Sequence, residues 1–325
     1  MMTAPQFHRL SPKRFTAVAA LLCIAAALPA QPQPASDPNS PIVVTGERLT
    51  PREARERAVA FVRGTGVAAG DRPVARWIDP VCMNVIGLSE RHGAIVRSRI
   101  ERIAEAAGVP VARGRCENNF AVIFTGDAGS VVREVEQRAP RRLSEVTGPA
   151  RRRLVGGSMP IRWWYSTQPR SRHGMRESTN SPAFTSGMPT ADATGTVSSP
   201  SGGGSVLPDN VPNLYHYNSS MVSTQAVRAL VSASVVVDVN QMHMPLEAVA
   251  GYVAMVGFAE IRENDFSSPG SILGMFENNP NAPRTLTDWD MGFLRVLYRL
   301  PLDRDARRHR GILVRDLLAA VDAGG

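Results

Sequence analysis

Between residues 74 and 138 the pattern of apolar residues changes repeatedly between that of a strand and that of a helix. Short apolar runs indicate strands, whereas apolar residues that recur with the period of a helical turn indicate a helix with one buried face. The resulting elements are strands over 74–88, 109–112 and 120–124 and helices over 89–107 and 128–138. Strands that alternate with helices form a sheet covered by helices. This βαββα order therefore predicts the fold class α/β (α+β).

The second half of the chain carries similar signals around a long polar interruption. Residues 159–166 are strand-like, and Trp163 and Trp164 should point to opposite faces, one toward the core and the other toward a partner. Residues 168–213 are rich in Ser, Gly, Thr and Pro, which is typical of a flexible insertion; a lid over a site is the alternative. The later elements are a strand over 227–239, a helix over 245–256, a loop over 261–285, a helix that begins at Thr287 and a helix over 303–321.

The N-terminus has the three parts of a secretion signal in the expected order. Basic residues come first, an apolar run over 15–28 follows, and Pro29-Ala30 supplies a small residue for cleavage. A membrane-spanning helix needs about 20 apolar residues, so the run is too short for an uncleaved signal anchor, which is the alternative. The pattern predicts an exported chain, periplasmic or extracellular, that begins at Gln31. No later stretch is long and apolar enough to span a membrane.

These signals divide the sequence into four segments. They are a signal peptide (1–30), a disordered leader (31–40), an N-terminal α/β region (41–158) and a C-terminal region (159–325). The flexible insertion at about 168–213 belongs to the C-terminal region.

Removal of the signal peptide leaves two cysteines, Cys82 and Cys116. Because exported proteins fold in an oxidising compartment, a pair of cysteines indicates a disulfide bond. Two unpaired buried thiols are the alternative.

Arginine supplies every basic residue of the mature chain, because the only lysine, Lys13, lies in the signal peptide. Six arginines fall between residues 138 and 153, where Glu145 is the single acidic residue. Such a cluster can bind an anionic polymer, or it can be a solvated helix face and linker, which we favour. Nucleic acid is not an expected partner, since no aromatic residues lie among these arginines.

The C-terminal region has a distinctive order of elements. A strand is followed by a helix that ends at Gly257-Phe258, a Ser-Ile-Leu turn at 271–273, and Leu286-Thr287-x-x-Asp290 leading to Leu297-Tyr298. This layout, over about residues 230–300, is similar to the metzincin zinc peptidases and resembles more closely a group of uncharacterised exported bacterial proteins. The resemblance implies a metzincin-like strand-helix-loop-helix region.

The zinc site that the resemblance implies is degenerate. A metzincin holds zinc with three histidines in the pattern H-E-x-x-H-x-x-G-x-x-H, and the glutamate activates the bound water. With Gly257 at the glycine of this pattern, the ligand positions are Ala250, Ala254 and Glu260, and the catalytic glutamate position is Gly251. No ligand histidine remains. We therefore expect a pseudoenzyme with no metal, no cofactor and no catalytic residue at these positions.

Other reactive patterns are weak. His243 lies between Met242 and Met244, a triplet that can bind copper, but an ordinary loop histidine is the simpler interpretation. Four acidic residues near the C-terminal helices are interpreted as helix caps and surface charges. They are Asp288, Asp290, Glu260 and Glu263.

We predict a non-catalytic exported protein with a binding or envelope-structural role, whose ligand and partners the sequence does not name. Two alternatives stay open. The first is a hydrolase whose site leaves no local motif, which a pocket of carboxylates with raised pKa values would favour. The second is an arginine-dependent binder of an anionic envelope polymer, which a steep salt dependence of binding would favour.

Overall fold

The computed structural model describes residues 49–171, 190–191, 197–198, 224, 226–262, 270–277 and 282–322. The predicted signal peptide, the leader and most of the predicted insertion lie outside these residues. The described residues belong to one compact unit.

Seven α-helices occur in the part of the chain that the structure describes. They are α1 (Pro51–Gly64), α2 (Glu90–Ala107), α3 (Ala128–Arg138), α4 (Gly148–Gly156), α5 (Leu246–Phe258), α6 (Asp288–Arg299) and α7 (Ala306–Asp322), with two 3-10 helices at Pro140–Leu143 and Ile272–Phe276. Thr50 and Thr287 each form a capping box with the acidic residue three positions on, which satisfies free N–H groups and begins α1 and α6. None of the described helices combines the length and the apolar character that a membrane crossing requires.

One five-stranded sheet organises the fold. Its strands are β1 (Ala75–Trp77), β2 (Met83–Ile86), β3 (Phe120–Thr125), β4 (Ile161–Ser171) and β7 (Ala226–Asp238), whereas β5 (Thr190–Ala191) and β6 (Val197–Ser198) form a separate antiparallel pair. β7 pairs in parallel with β1 and then β3, β3 pairs in parallel with β2, and β4 runs antiparallel along β7. The α/β class is confirmed, and strands from both the 41–158 and the 159–325 regions share this sheet.

The predicted strand over 109–112 is reduced to a single bridge between Val81 and Val111. Pro110 has no N–H, so it cannot extend a ladder, although its carbonyl accepts a hydrogen bond from Val81 N–H at 2.9 Å. This segment therefore serves as the connection between α2 and β3.

The predicted disulfide is confirmed. Cys82 and Cys116 are bonded, with their Cα atoms 6.0 Å apart. Cys82 immediately precedes β2 and Cys116 lies on the approach to β3, so the bond joins the chain beside two paired strands.

Trp163 and Trp164 lie on opposite faces of β4, as the alternation of a strand requires, but both are buried. Trp163 belongs to the main core with α5, whereas Trp164 packs in a second apolar cluster with Val132 of α3 and Leu154 of α4. Core packing of one tryptophan agrees with the prediction. Contact of the other tryptophan with a partner stays a prediction, and α3 and α4 pack against Trp164 on the second face of the sheet.

Candidate functional site

The positions that the resemblance assigned to zinc lie inside the molecule. Ala250 and Ala254 are fully buried in α5. A Cβ atom at Gly251 would lie 2.9 Å from Leu286 Cδ1 and 3.2 Å from Ile272 Cδ1. These positions belong to a packed core and not to an open cleft. Within the described residues, no three metal-ligating side chains come together.

The C-terminal end of α5 is fixed by side chains from other elements. The last carbonyls of a helix have no partner within the helix, and here three aromatic side chains donate to them. The pairs are Tyr165 Oη with Val256 O (2.6 Å), Trp77 Nε1 with Gly257 O (2.8 Å) and Tyr298 Oη with Phe258 O (2.8 Å). A Cβ atom at Gly257 would overlap the Phe120 ring. The chain therefore leaves α5 at a defined place and enters the extended segment 259–262.

Glu260, in this segment, is the first polar side chain of the site. It is 4 % exposed, so the interpretation of Glu260 as a surface charge is corrected. Arg228 of β7 donates to both carboxylate oxygens, at 2.8 and 2.9 Å, and Arg262 donates to Oε1 at 2.6 Å. A buried carboxylate is tolerated because these two guanidinium groups compensate its charge.

A second carboxylate extends this network toward solvent. Glu145 accepts hydrogen bonds from Thr167 N–H and from Thr167 Oγ1, the latter at 2.9 Å. Arg72 Nη2 lies 3.4 Å from Glu145 Oε2 and 3.8 Å from Glu260 Oε1. Three guanidinium groups, those of Arg72, Arg228 and Arg262, therefore surround two carboxylates, and the cluster carries a net positive charge.

The protonation of the cluster follows from burial and pairing. Burial alone would raise the pKa of the Glu260 carboxyl, but hydrogen bonds and charge from Arg228 and Arg262 outweigh it and hold that pKa below its ordinary value. Burial, with the nearby Glu260 charge, raises the pKa of the Tyr165 hydroxyl well above its ordinary value. The Glu260 carboxylate is thus ionised and paired with arginine.

A groove of about 330 Å³ lies beside this cluster. Its apolar lining residues are Ala69, Val146, Ala150, Leu154, Trp163, Trp164, Tyr165 and Ile261, and its polar ones are Glu145, Thr147, Glu260 and Arg262. Three consecutive residues of β4 line it, which places the groove along the edge of that strand. One wall comes from α4 and the turn before it, and the other from residues 260–262.

No other described strand pairs with the edge of β4 that faces the groove. Asp238 N–H donates to Pro160 O at 2.8 Å, and alternation along an antiparallel pair then turns the backbone groups of Ile161, Trp163 and Tyr165 away from β7. Thr167 N–H, also on this outer edge, is capped by Glu145. In the described part of the chain β4 pairs with no strand except β7, and no backbone hydrogen bond closes its outer edge at these residues.

The arginine-rich segment 138–153 forms one wall of the groove. It folds as the end of α3, a 3-10 helix and most of α4, so it is a structured wall and not a linker. Its exposed arginines confirm a solvated face. They are Arg138, Arg141, Arg142, Arg152 and Arg153. Arg262 lines the groove, and Arg72 adjoins it through its contact with Glu145.

Other residues that the sequence singled out have structural roles. Asp290 caps α6, as predicted, but it is buried and also accepts hydrogen bonds from Ser271 Oγ (2.6 Å) and Ile272 N–H (2.9 Å). His243 is exposed. His309, which no sequence pattern singled out, is buried, accepts a hydrogen bond from Val74 N–H at Nδ1 (3.0 Å) and lies 3.0 Å from Pro301 O through Nε2. Glu263 lies outside the described residues.

Glu260 and Glu145 stood out in the sequence, but the residues that bind them did not: Arg72, Thr167, Arg228 and Arg262. One signal was present: Arg228 interrupts an otherwise apolar and small-residue strand, and a charged residue in a buried strand needs a partner. The identity of that partner could not be deduced, because Glu260 is remote in sequence from both Arg228 and Arg72.

Comparisons with known proteins leave the site to be interpreted from its own geometry. No family model, no curated protein and no solved structure matches this chain.

Proposed function

We propose that this protein is an exported, non-catalytic binding protein that captures an extended acidic segment of another polypeptide in the groove along β4. The observation that carries the proposal is the edge of β4 that no other described strand pairs with, beside a cluster of three guanidinium groups and two carboxylates. Export is supported by the signal-like N-terminus and by the disulfide bond between Cys82 and Cys116.

Strand pairing is the interaction that the groove favours. An unpaired strand edge presents a row of N–H and C=O groups, and an extended peptide satisfies them by adding a strand to the sheet. Here the residues with outward backbone groups, Ile161, Trp163 and Tyr165, are themselves buried. Because unpaired polar groups in such surroundings cost free energy, a pairing partner would gain from filling the groove.

The charge of the arginine cluster beside the groove favours an acidic ligand. Arg72 is 44 % exposed and Arg262 is 34 % exposed, so both guanidinium groups are accessible beside the groove. The exposed arginines of α4 add to the same potential. The lining itself is mixed, with Glu145 and Glu260 beside Arg262, but together with Arg72 and Arg228 the cluster carries one net positive charge, which attracts anionic ligands.

Two observations support binding over hydrolysis. A general acid or base works best with a pKa near the ambient pH, yet the pKa of Glu260 is lowered and that of Tyr165 is raised. Each group also has a hydrogen-bond partner within the protein: Arg228 donates to Glu260, and Tyr165 donates to the carbonyl of Val256. A hydrolase would favour a carboxyl group with a raised pKa, and Glu260 does not provide one.

The test uses the mature chain and a short fluorescein-labelled peptide of alternating Glu and Val, followed by fluorescence anisotropy. We expect saturable binding that weakens as salt is added and little binding of a matched peptide with Lys in place of Glu. N-methylation of alternate peptide amides, tried in both registers, removes the donors for strand pairing but keeps the charge, and in one register it should abolish binding. Equal binding of every form would contradict pairing with β4. Binding of polygalacturonate but not of the peptide would favour an anionic polymer.

A variant locates the site. Ala150→Trp, on the α4 wall, fills the groove and should abolish binding of the peptide. Ala106→Trp, at an exposed position of α2 that does not line the groove, is the matched control.

A further inference from the structure

Glu145 has an unusual position for the single acidic residue of an arginine-rich segment. It lies in the turn between the 3-10 helix Pro140–Leu143 and α4, it lines the groove, and its side chain is 23 % exposed. Exposed arginines are close to it in sequence, yet its carboxylate points to the strand edge of β4 and to Arg72.

The carboxylate of Glu145 makes the contacts that an acidic ligand would make. One oxygen accepts a hydrogen bond from Thr167 N–H, which is a group of the open strand edge. The other accepts from Thr167 Oγ1 at 2.9 Å and lies 3.4 Å from Arg72 Nη2 and 3.9 Å from Arg228 Nη2. A backbone N–H, a hydroxyl and two guanidinium groups together form a complete carboxylate-binding subsite.

We propose that Glu145 is an internal competitor, whose carboxylate occupies the subsite that receives an acidic group of the ligand. This inference rests on the proposed binding of an acidic peptide along β4. Binding requires the Glu145 side chain to leave Thr167 and Arg72, and the ligand carboxylate takes its place. The outer edge of β4 is then continuous from Ile161 to Thr167, because Glu145 no longer ends it.

An internal competitor and an ordinary structural contact predict opposite effects of neutralising Glu145 on the affinity for the ligand. If Glu145 only tied its turn to β4, its neutralisation would weaken both the fold and the binding of any ligand. As a competitor that also repels the ligand, Glu145 lowers the affinity for acidic peptides, and neutralising it raises that affinity. Since a partly exposed charge changes binding modestly, the expected gain is about fivefold.

The experiment compares Glu145→Gln with Glu136→Gln in the anisotropy assay with the Glu/Val peptide. Glu136 is the matched control: it lies near the same segment, is 35 % exposed and pairs with Arg151 at 3.1 Å, and its replacement changes the net charge equally. We expect the peptide to bind Glu145→Gln about fivefold more tightly than the wild type and Glu136→Gln within about twofold of it. An equal or weaker affinity of Glu145→Gln, relative to Glu136→Gln, overturns the competitor role.

A second variant covers the case in which Glu145→Gln does not fold, which circular dichroism would show. Glu145→Asp keeps the charge but draws the carboxylate back by one methylene from Thr167 N–H and Oγ1, and we expect it to bind the acidic peptide about threefold more tightly than the wild type. Unchanged or weaker affinity in Glu145→Asp overturns the competitor role. If the wild type binds the peptide but the variants do not show the expected changes in affinity, this inference alone is refuted. If neither the wild type nor any variant binds the peptide, the proposed function is refuted as well.

Discussion

The helix α5 and the extended segment 259–262 are adjacent in the chain but differ in what their side chains contact. Every residue of α5 from Ala248 to Phe258 is buried, and its small side chains let neighbouring elements approach closely. In the segment that follows, Glu260 and Arg262 form a charged network beside the groove of β4. α5, whose position in the chain resembles that of a zinc-peptidase helix, therefore packs the core. The charged side chains lie in the segment that follows it.

The largest expected effect is on the charged side of this comparison. Arg228→Met removes the bidentate partner of the buried Glu260 carboxylate, and we expect a loss of about 3 kcal/mol in the free energy of unfolding. Denaturant unfolding followed by tryptophan fluorescence measures it. The double variant Arg228→Met with Glu260→Gln should recover at least half of the loss, because no unpaired buried charge remains. A loss below about 1 kcal/mol in the single variant would class the pair with weak surface ion pairs.

On the packing side, Gly257→Ala should cost about 2 kcal/mol, because the new Cβ overlaps the rigid ring of Phe120. Gly251→Ala is the matched control in the same helix. Its Cβ meets the Cδ1 atoms of Leu286 and Ile272, the ends of flexible side chains, and the better helix propensity of alanine offsets part of the strain. The same denaturant experiment measures both variants. An equal effect at the two positions would mean that Phe120 yields as readily as Leu286.

A smaller effect separates the two buried carboxylates by pH. The pKa of Glu260 is lowered from an ordinary 4.5, so its stabilisation is present above that pH and is lost as the pH falls through the lower pKa of the folded state. Burial raises the pKa of Asp290 from an ordinary 3.8, although hydrogen bonds from Ser271, Thr287 and Ile272 oppose it. The stabilisation of the folded state by protonated Asp290 is therefore present below that pH and is lost as the pH rises through the pKa of Asp290 in the folded state.

Replacement of the two carboxylates should change the acid limb in opposite directions. Unfolding free energies measured between pH 3 and pH 6 should fall less steeply on acidification in Glu260→Gln than in the wild type, and more steeply in Asp290→Asn. Each change should amount to about 1 kcal/mol or less. Parallel curves for the two variants would contradict the opposite shifts.

The smallest expected effect is none. Added zinc should not change the thermal midpoint of the purified protein, since a structural or catalytic zinc needs three or more protein ligands and the positions in question are Ala250, Ala254 and the arginine-bound Glu260. Elemental analysis and chelator treatment complete the measurement. One equivalent of tightly bound zinc together with chelator-sensitive peptide cleavage would contradict this expectation and support a zinc-peptidase activity.

Much of the local structure follows from the sequence alone. The helix that begins after Thr287 was predicted at its observed start, because the cap and its partner Asp290 lie within one turn of each other. The strand around Val235 and the pairing of Cys82 with Cys116 were also predicted. Each of these conclusions depends on a few neighbouring residues or on a choice with very few alternatives.

Tertiary structure alone decided where the groove lies. The order of the strands leaves β4 at the edge of the sheet, and the residues beside it come from separate stretches of the chain: Arg72, Glu145, Thr167, Arg228, Glu260 and Arg262. No local pattern connects these positions, since they come together only in the folded sheet, where β7 lies between β3 and β4. Burial then converts Glu260, which is indistinguishable in the sequence from a surface charge, into the centre of an arginine network.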